Sequence, residues 1–124
     1  MYFKFNEEKP LYLQIEEQLT DAIFTEVFVE GQQVPSTTEI SQQFHLNPAT
    51  VLKGMNRLVE ADLLEKRRGL GMFVKQGAHA KIVQQRRENF YQEYIVSLIQ
   101  EAKKLNLGID EINELIRRGM QANE

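Results

Sequence analysis

Apolar side chains divide this chain into segments whose spacing and boundary residues identify helices and a hairpin. Leu11, Ile15, Leu19, Ala22 and Ile23 recur at i, i+4, i+8, i+11 and i+12, a single stripe with Glu16, Glu17 and Asp21 outside it, which predicts an amphipathic helix. Pro10 is well placed to open it, because its missing N–H would have no partner there and its φ is already set. Val27-Phe28-Val29-Glu30-Gly31 ends it in an apolar segment and a turn. Ser36 and Glu39 have the S-x-x-E spacing of a capping box, in which the serine oxygen accepts a first-turn N–H and the glutamate accepts the cap residue's own. A second helix is therefore predicted from Ser36 to near His45, about ten residues, with Ile40 and Phe44 inward.

The third helix has its own start signals: Asn47 as N-cap, Pro48 at the first helical position, and Leu46 placed to staple against Val51. Val51, Met55, Leu58 and Val59 repeat at i, i+4, i+7 and i+8 and face a core, whereas Thr50, Lys53 and Arg57 share a different, polar face. Leu63-Leu64-Glu65-Lys66 and Met72-Phe73-Val74-Lys75 are β-prone runs flanking the glycine-bearing turn Arg67-Arg68-Gly69-Leu70-Gly71, which predicts a basic-tipped hairpin. Gln76-Gly77-Ala78 reads as a hinge. From roughly His79 to Leu107, Phe90, Tyr91, Tyr94, Ile95, Leu98, Ala102 and Leu105 keep a three-four spacing, ending at Gly108 as a glycine just past a helix would. Asp110 is expected to cap a shorter helix carrying Ile112, Leu115, Ile116 and Met120 on its apolar side, fraying near Arg117-Arg118-Gly119.

The predicted fold is mainly α with a small β-hairpin wing: a winged helix-turn-helix DNA-binding domain over residues 1–76 and a two-helix dimerisation tail over 77–124. With 124 residues, 42% of them hydrophobic, the chain can bury one modest core and carry an extension. The absence of cysteine excludes disulfides and thiolate metal sites and suits a reducing cytoplasm. Met1-Tyr2-Phe3-Lys4-Phe5-Asn6 lacks the apolar stretch of a signal peptide, and no run of about 18 apolar residues exists, so the expectation is a soluble, cytoplasmic protein.

The net charge of −3 argues against a nucleic-acid partner until it is resolved by region. Residues 1–45 carry two basic and eight acidic side chains, residues 46–87 nine and three, and residues 88–124 four and seven. The excess of +6 therefore lies where the third helix and the hairpin lie, and an acidic body with one basic face orients its encounter with a polyanion.

A recognition helix reaches base edges from its exposed N-terminal part while nearby basic and backbone groups hold phosphates. The candidate DNA-contacting residues are Ser36, Thr38, Asn47, Ala49, Thr50, Lys53, Arg57, Arg67, Arg68, Gly69 and Gly71. Asn47 has two uses open to it, capping the helix or meeting a base. Thr50 either bonds a phosphate, touches a thymine methyl, or satisfies the helix start. Lys53 is the strongest base or phosphate candidate, and Arg57, a turn further on, is better suited to phosphate. The wing arginines suit phosphate or a narrow minor groove, and its glycines allow close backbone approach. His45 and His79 have no partner at metal-ligand spacing, so no metal or other cofactor is expected. Gly69-x-Gly71 sits in a hairpin instead of opening a helix, and no catalytic ordering of Ser, His and Asp is present, which argues against an enzyme.

Pro10-Leu11-Tyr12-x-Gln14-Ile15, Pro35-Ser36, Thr50-Val51 and Gly69-x-Gly71-x-Phe73-Val74 together resemble the DNA-binding half of the GntR family of bacterial transcription regulators. The two-helix tail is similar in length and architecture to the YtrA-like subfamily. That resemblance implies a tail that dimerises, a missing ligand-binding domain, and control of genes for an ATP-driven (ABC) transporter. Family members commonly carry arginine where this chain has Thr38 and, in many subfamilies, Pro48. Both departures shift the expected contacts to Lys53, the wing and helix-end amides, and imply an altered operator preference.

The aromatic stripe of the tail needs cover that one small domain does not supply, which favours a homodimer through Phe90, Tyr91, Tyr94, Ile95, Leu98, Ala102, Leu105, Ile112, Leu115 and Ile116. A twofold dimer predicts an inverted-repeat operator in double-stranded DNA. The expected function is a sequence-specific, homodimeric transcription repressor. The alternative is a winged-helix module that binds another protein without specific DNA binding. No residue identifies a small-molecule effector.

Overall fold

The caps and stripes place the helices with little adjustment. The computed structural model describes residues 3–123; Met1 and Tyr2, part of the start read for a leader, and Glu124 lie outside them. Two compact units result, Met1–Gln84 and Gln85–Glu124.

In the first unit, α1 (Leu11–Phe24), α2 (Thr37–Phe44) and α3 (Pro48–Glu60) precede a hairpin of β1 (Leu64–Arg67) and β2 (Gly71–Val74). The strands pair antiparallel from Leu64 opposite Val74 to Arg67 opposite Gly71. The chain before α2 adds an irregular third rung, in which Val34 N–H donates to the Met72 carbonyl at 3.0 Å and Val74 N–H to the Gln32 carbonyl at 2.9 Å. Helix α4 (Ala78–Phe90) begins in this unit and buries Ala78 and Ile82. Asp62, just past α3, pairs with Lys75 at 3.1 Å and Lys81 at 3.5 Å. The hydrogen bond from Lys75, then the positive charge of both lysines, holds its carboxyl below the usual carboxylate value.

The caps predicted at Ser36 and Asn47 form. Ser36 Oγ accepts from Glu39 N–H at 3.0 Å while the Glu39 carboxylate accepts from Ser36 N–H at 3.2 Å. His45 then turns the chain from α2 into α3 in the left-handed region, at φ 56°. Of the positions predicted to face inward, Ile15, Leu19, Ile40, Val51 and Met55 are fully buried, whereas Leu11, Phe44 and Val59 are half-buried and pack against this core. Two glutamines of α1 add a feature that spacing alone did not reveal. Buried Gln14 donates to the Asn6 and Lys9 carbonyls at 2.8 Å and accepts from Asn6 N–H at 3.0 Å. One turn later Gln18 treats Lys4 in the same way, at 2.7 and 3.0 Å. These amides act as a surrogate strand edge and dock the amino-terminal segment, where Phe3 and Phe5 cluster with Phe44.

The principal helix contact is α1 against α3, and Gly54 sets its distance. A Cβ at Gly54 would lie 2.7 Å from the Tyr12 carbonyl oxygen and 2.9 Å from Ile15 Cγ2, so the helices cross at backbone contact.

In the second unit a π-helical segment (Tyr91–Ile95) leads into α5 (Val96–Lys104), and α6 (Ile109–Ala122) follows. The predicted tail helix is thus helical up to Lys104 but locally widened where its aromatics concentrate. Gly108 is not the residue that ends it. Asn106 takes the left-handed turn at φ 57°, and Leu107 N–H returns to the Ala102 carbonyl at 2.9 Å, a Schellman closure. Gly108 instead precedes α6, its N–H held by Glu111 at 3.3 Å, while Asp110, expected as the cap, falls inside the first turn. Helix α6 continues past Arg118 and Gly119 to Ala122 without the expected fraying. Among the described residues no helix is long and apolar enough to cross a membrane.

In an open helix interior, replacing glycine by alanine stabilises by about 1 kcal/mol. At position 54 the sign is expected to reverse. Gly54→Ala should destabilise the protein by about 1–3 kcal/mol, as overpacking at a rigid contact does, measured as a lower midpoint in denaturant; an unchanged or higher midpoint would contradict the close crossing.

Candidate nucleic-acid interface

The first turn of α3 is exposed at Asn47, Pro48 and Ala49 and half-buried at Thr50. Asn47 uses its side-chain oxygen for the cap, accepting Ala49 N–H at 2.9 Å. Thr50 N–H donates to the Asn47 carbonyl at 3.1 Å. Thr38 lies exposed in the first turn of α2, beside the half-buried Ser36 whose hydroxyl is engaged in the capping box.

Further along α3, the two cations meet side chains of α1. Lys53 Nζ lies 3.9 Å from the centroid of the Tyr12 ring, and the Arg57 guanidinium lies 5.7 Å from the same ring. Arg57 is also ion-paired with Glu16. The hydrogen bond to Glu16, then its negative charge, holds Arg57 further in its charged form. Tyr12 and Glu16 are one turn apart, so a single face of α1 sets the position of both cations. Neither residue was singled out from the sequence as part of a site. Their signal was the i, i+4 spacing beside the apolar stripe, but nothing in α1 alone says which helix crosses it.

The wing gathers a second group. Arg67 bonds Glu65 at 2.8 and 3.1 Å and stacks on the Phe73 ring at 4.1 Å, so its guanidinium is fixed along the hairpin. Arg68 is exposed and has no such partner among the described residues. Gly69, at φ 76°, has nothing within 4 Å of where a Cβ would stand. Gly71, at φ 124°, lies under Gln33, whose amide nitrogen would be 2.7 Å from such a Cβ. That amide donates to the Leu70 carbonyl at 2.7 Å and ties the wing tip to the chain before α2. Gln33 was also absent from the sequence-derived set, since its partner is 37 residues away.

His79 is placed structurally, its Nε2 3.1 Å from the Phe24 carbonyl and its ring stacked on Phe24. Among the described residues no group of three or more His, Cys, Asp and Glu side chains could hold a metal ion. In the tail, Leu98, Ala102, Leu105, Ile112, Leu115 and Ile116 line one apolar groove of about 350 Å³ between α5 and α6. Ile95 is half-buried, while Phe90, Tyr91 and Tyr94 are exposed, with the Phe90 and Tyr94 rings 5.5 Å apart.

Residues 11–74 match the model of the bacterial regulatory proteins of the gntR family. Over 114 residues the chain is 28% identical to the uncharacterized HTH-type transcriptional regulator YhcF of Bacillus subtilis, covering 92% of this chain and 93% of that protein. It is 25% identical to the transcriptional repressor YtrA of the same organism, covering 87% and 82%. A solved structure of a GntR-family regulator from Bacteroides thetaiotaomicron superposes with a TM-score of 0.74 at 27% identity, over 92% of this chain and 99% of that one. The DNA-binding domain of AraR, solved in complex with its operator ORX1, aligns at 28% identity and a TM-score of 0.55 over 60% of this chain and 95% of its own.

Cation–π contacts at exposed sites contribute about 0.5–1 kcal/mol. Tyr12→Ala is expected to release Lys53 and weaken duplex DNA binding by about that amount, whereas Tyr12→Phe keeps the ring and should bind as the parent does. Fluorescence anisotropy with a labelled duplex measures both, and equal affinity of all three proteins would remove Tyr12 from the interface.

Proposed function

The chain belongs to the GntR family of bacterial regulatory proteins, and we propose that it is a homodimeric repressor that binds an inverted-repeat operator in the cytoplasm. Its family and its relatives are transcription regulators with a winged helix-turn-helix DNA-binding domain, not enzymes. The observation that carries the finer reading is the exposed first turn of α3 with Lys53 held beside it by Tyr12, within the one region of the chain that is strongly basic. Lys53 meets a base or phosphate, Ala49 and Thr50 approach the major groove, and Arg68 holds phosphate or the minor groove from the wing. Arg57, tied to Glu16, and Arg67, tied to Glu65, contribute from fixed positions.

Dimerisation proceeds through the tail. The groove lined by Leu98, Leu105 and Leu115 leaves these side chains 37%, 61% and 43% exposed, which is costly in a free monomer. A second copy covers them and sets two recognition helices at half-sites about one helical turn, or a multiple of it, apart. Repression is supported by the name of the relative YtrA. Control of genes for an ATP-driven transporter rests on resemblance to the short-tailed subfamily.

Selection of bound fragments from the source genome is expected to return an inverted repeat. Lys53→Ala and Arg68→Ala should each weaken binding to it by about 1–3 kcal/mol. Leu98→Asp combined with Leu115→Asp should halve the mass in sedimentation and abolish high-affinity binding to the full repeat. Binding to random duplex as tight as to any selected fragment would sink the operator reading and favour a protein-interaction role.

A further inference from the structure

The wing tip carries a large apolar side chain where a purely phosphate-holding loop would carry a polar one. Leu70 is 65% exposed, and it stands between two glycines, which carry no side chain beside it and adopt φ values of 76° and 124°. Both of its backbone polar groups already have a partner. The Leu70 N–H donates to the Arg67 carbonyl at 2.9 Å, and the Leu70 carbonyl accepts from the Gln33 amide at 2.7 Å. The isobutyl group is therefore the principal chemistry that this residue presents to a partner. It is presented on a backbone fixed from both sides, so little further ordering is needed when it is used. Arg68, two positions before it, is exposed and without a partner among the described residues, placing a cation beside the apolar tip.

A slender apolar tip with a flanking cation fits the minor groove of A·T-rich DNA. The groove walls are sugar C–H groups, its floor there lacks the guanine amino group, and its narrow form concentrates negative potential that attracts arginine. Apolar side chains serve as minor-groove wedges in other DNA-binding folds. We propose that Leu70 is a specificity-determining residue that enters the minor groove beside the α3 contact and selects A·T pairs there. The selection is steric, because the guanine amino group occupies the space the isobutyl group needs. This inference rests on the DNA-binding reading above and concerns a different groove from that assigned to α3.

Synthetic duplexes of the selected operator test it. In one, 2,6-diaminopurine replaces adenine under the wing, adding the minor-groove amino group while keeping the major-groove face of an A·T pair. In another, deoxyuridine replaces thymidine, removing only the major-groove methyl. The parent protein is expected to lose about fivefold to twentyfold in affinity for the diaminopurine duplex and to be indifferent to deoxyuridine at the same pairs. Leu70→Ala should bind the unmodified duplex about fivefold more weakly and should no longer distinguish the diaminopurine duplex. Leu70→Met should retain the discrimination. Unchanged melting temperatures would confirm that these exposed substitutions leave the fold intact. Parental affinity and discrimination in Leu70→Ala would overturn the inference while leaving operator binding intact, as would a response to deoxyuridine that the alanine variant lacks. Failure of the parent protein to prefer the operator over random duplex would overturn the DNA-binding reading as well.

Discussion

The backbone contact between α1 and α3 at Gly54 is the constraint from which the proposed interface follows. Two helices carrying ordinary side chains stand 8–10 Å apart, roughly; with no Cβ at Gly54, the Tyr12 carbonyl oxygen comes within 2.7 Å of where that Cβ would be. That closeness brings the Tyr12 ring over Lys53 and Glu16 within reach of Arg57. Scaffold packing and the placement of the cations are thus one contact seen from two sides. An exposed lysine ordinarily samples many rotamers, and holding it against a ring removes part of the entropy that binding would otherwise cost.

The wing depends on a second, polar constraint. The short segment from Glu30 to Val34 reaches in both directions. Its Gln33 amide holds the wing tip, Gly31 N–H donates to the Val74 carbonyl at 2.8 Å, and the Glu30 carboxylate accepts Gly77 N–H at 2.8 Å at the start of α4. An isolated two-stranded hairpin is at best marginally stable in water. Here three backbone bonds from an irregular strand and one side-chain amide make it part of the domain.

The fold was legible where local physics decides it. Ser36 with Glu39, and Asn47 with Pro48, fix helix starts through atoms a few residues apart, and the Val51-Met55-Leu58 spacing fixes which side of α3 is buried. The tail boundary failed for an equally local reason: Asn106 tolerates the left-handed turn that was assigned to Gly108, and the sequence offers both within three positions. The candidate site was legible only in part. Lys53 and Arg68 stand out by type and place, but Tyr12, Glu16 and Gln33 acquire their roles from partners 41, 41 and 37 residues away. Gly54 was passed over because a helical glycine announces nothing until the crossing helix is known.

The regional charge of +6 marks where basic residues concentrate and is a poor measure of the charge at their disposal. Of the cations in residues 46–87, Arg57 is committed to Glu16, Arg67 to Glu65, and Lys75 and Lys81 share Asp62. A carboxylate partner must be displaced, or shared, before its cation neutralises a phosphate, so such residues release fewer counterions than their number suggests. Exposed pairs are individually weak, which leaves them available at modest cost, yet they still favour one geometry over others. The chain also has Thr38 and Pro48 where its family resemblance leads one to expect arginines. Affinity built on few unpaired cations must draw more on shape: the fixed Lys53, the capped start of α3, and a wing tip whose exposed chemistry is a cation beside an apolar side chain. A protein of this kind gains discrimination from where its groups are held more than from how many charges it brings.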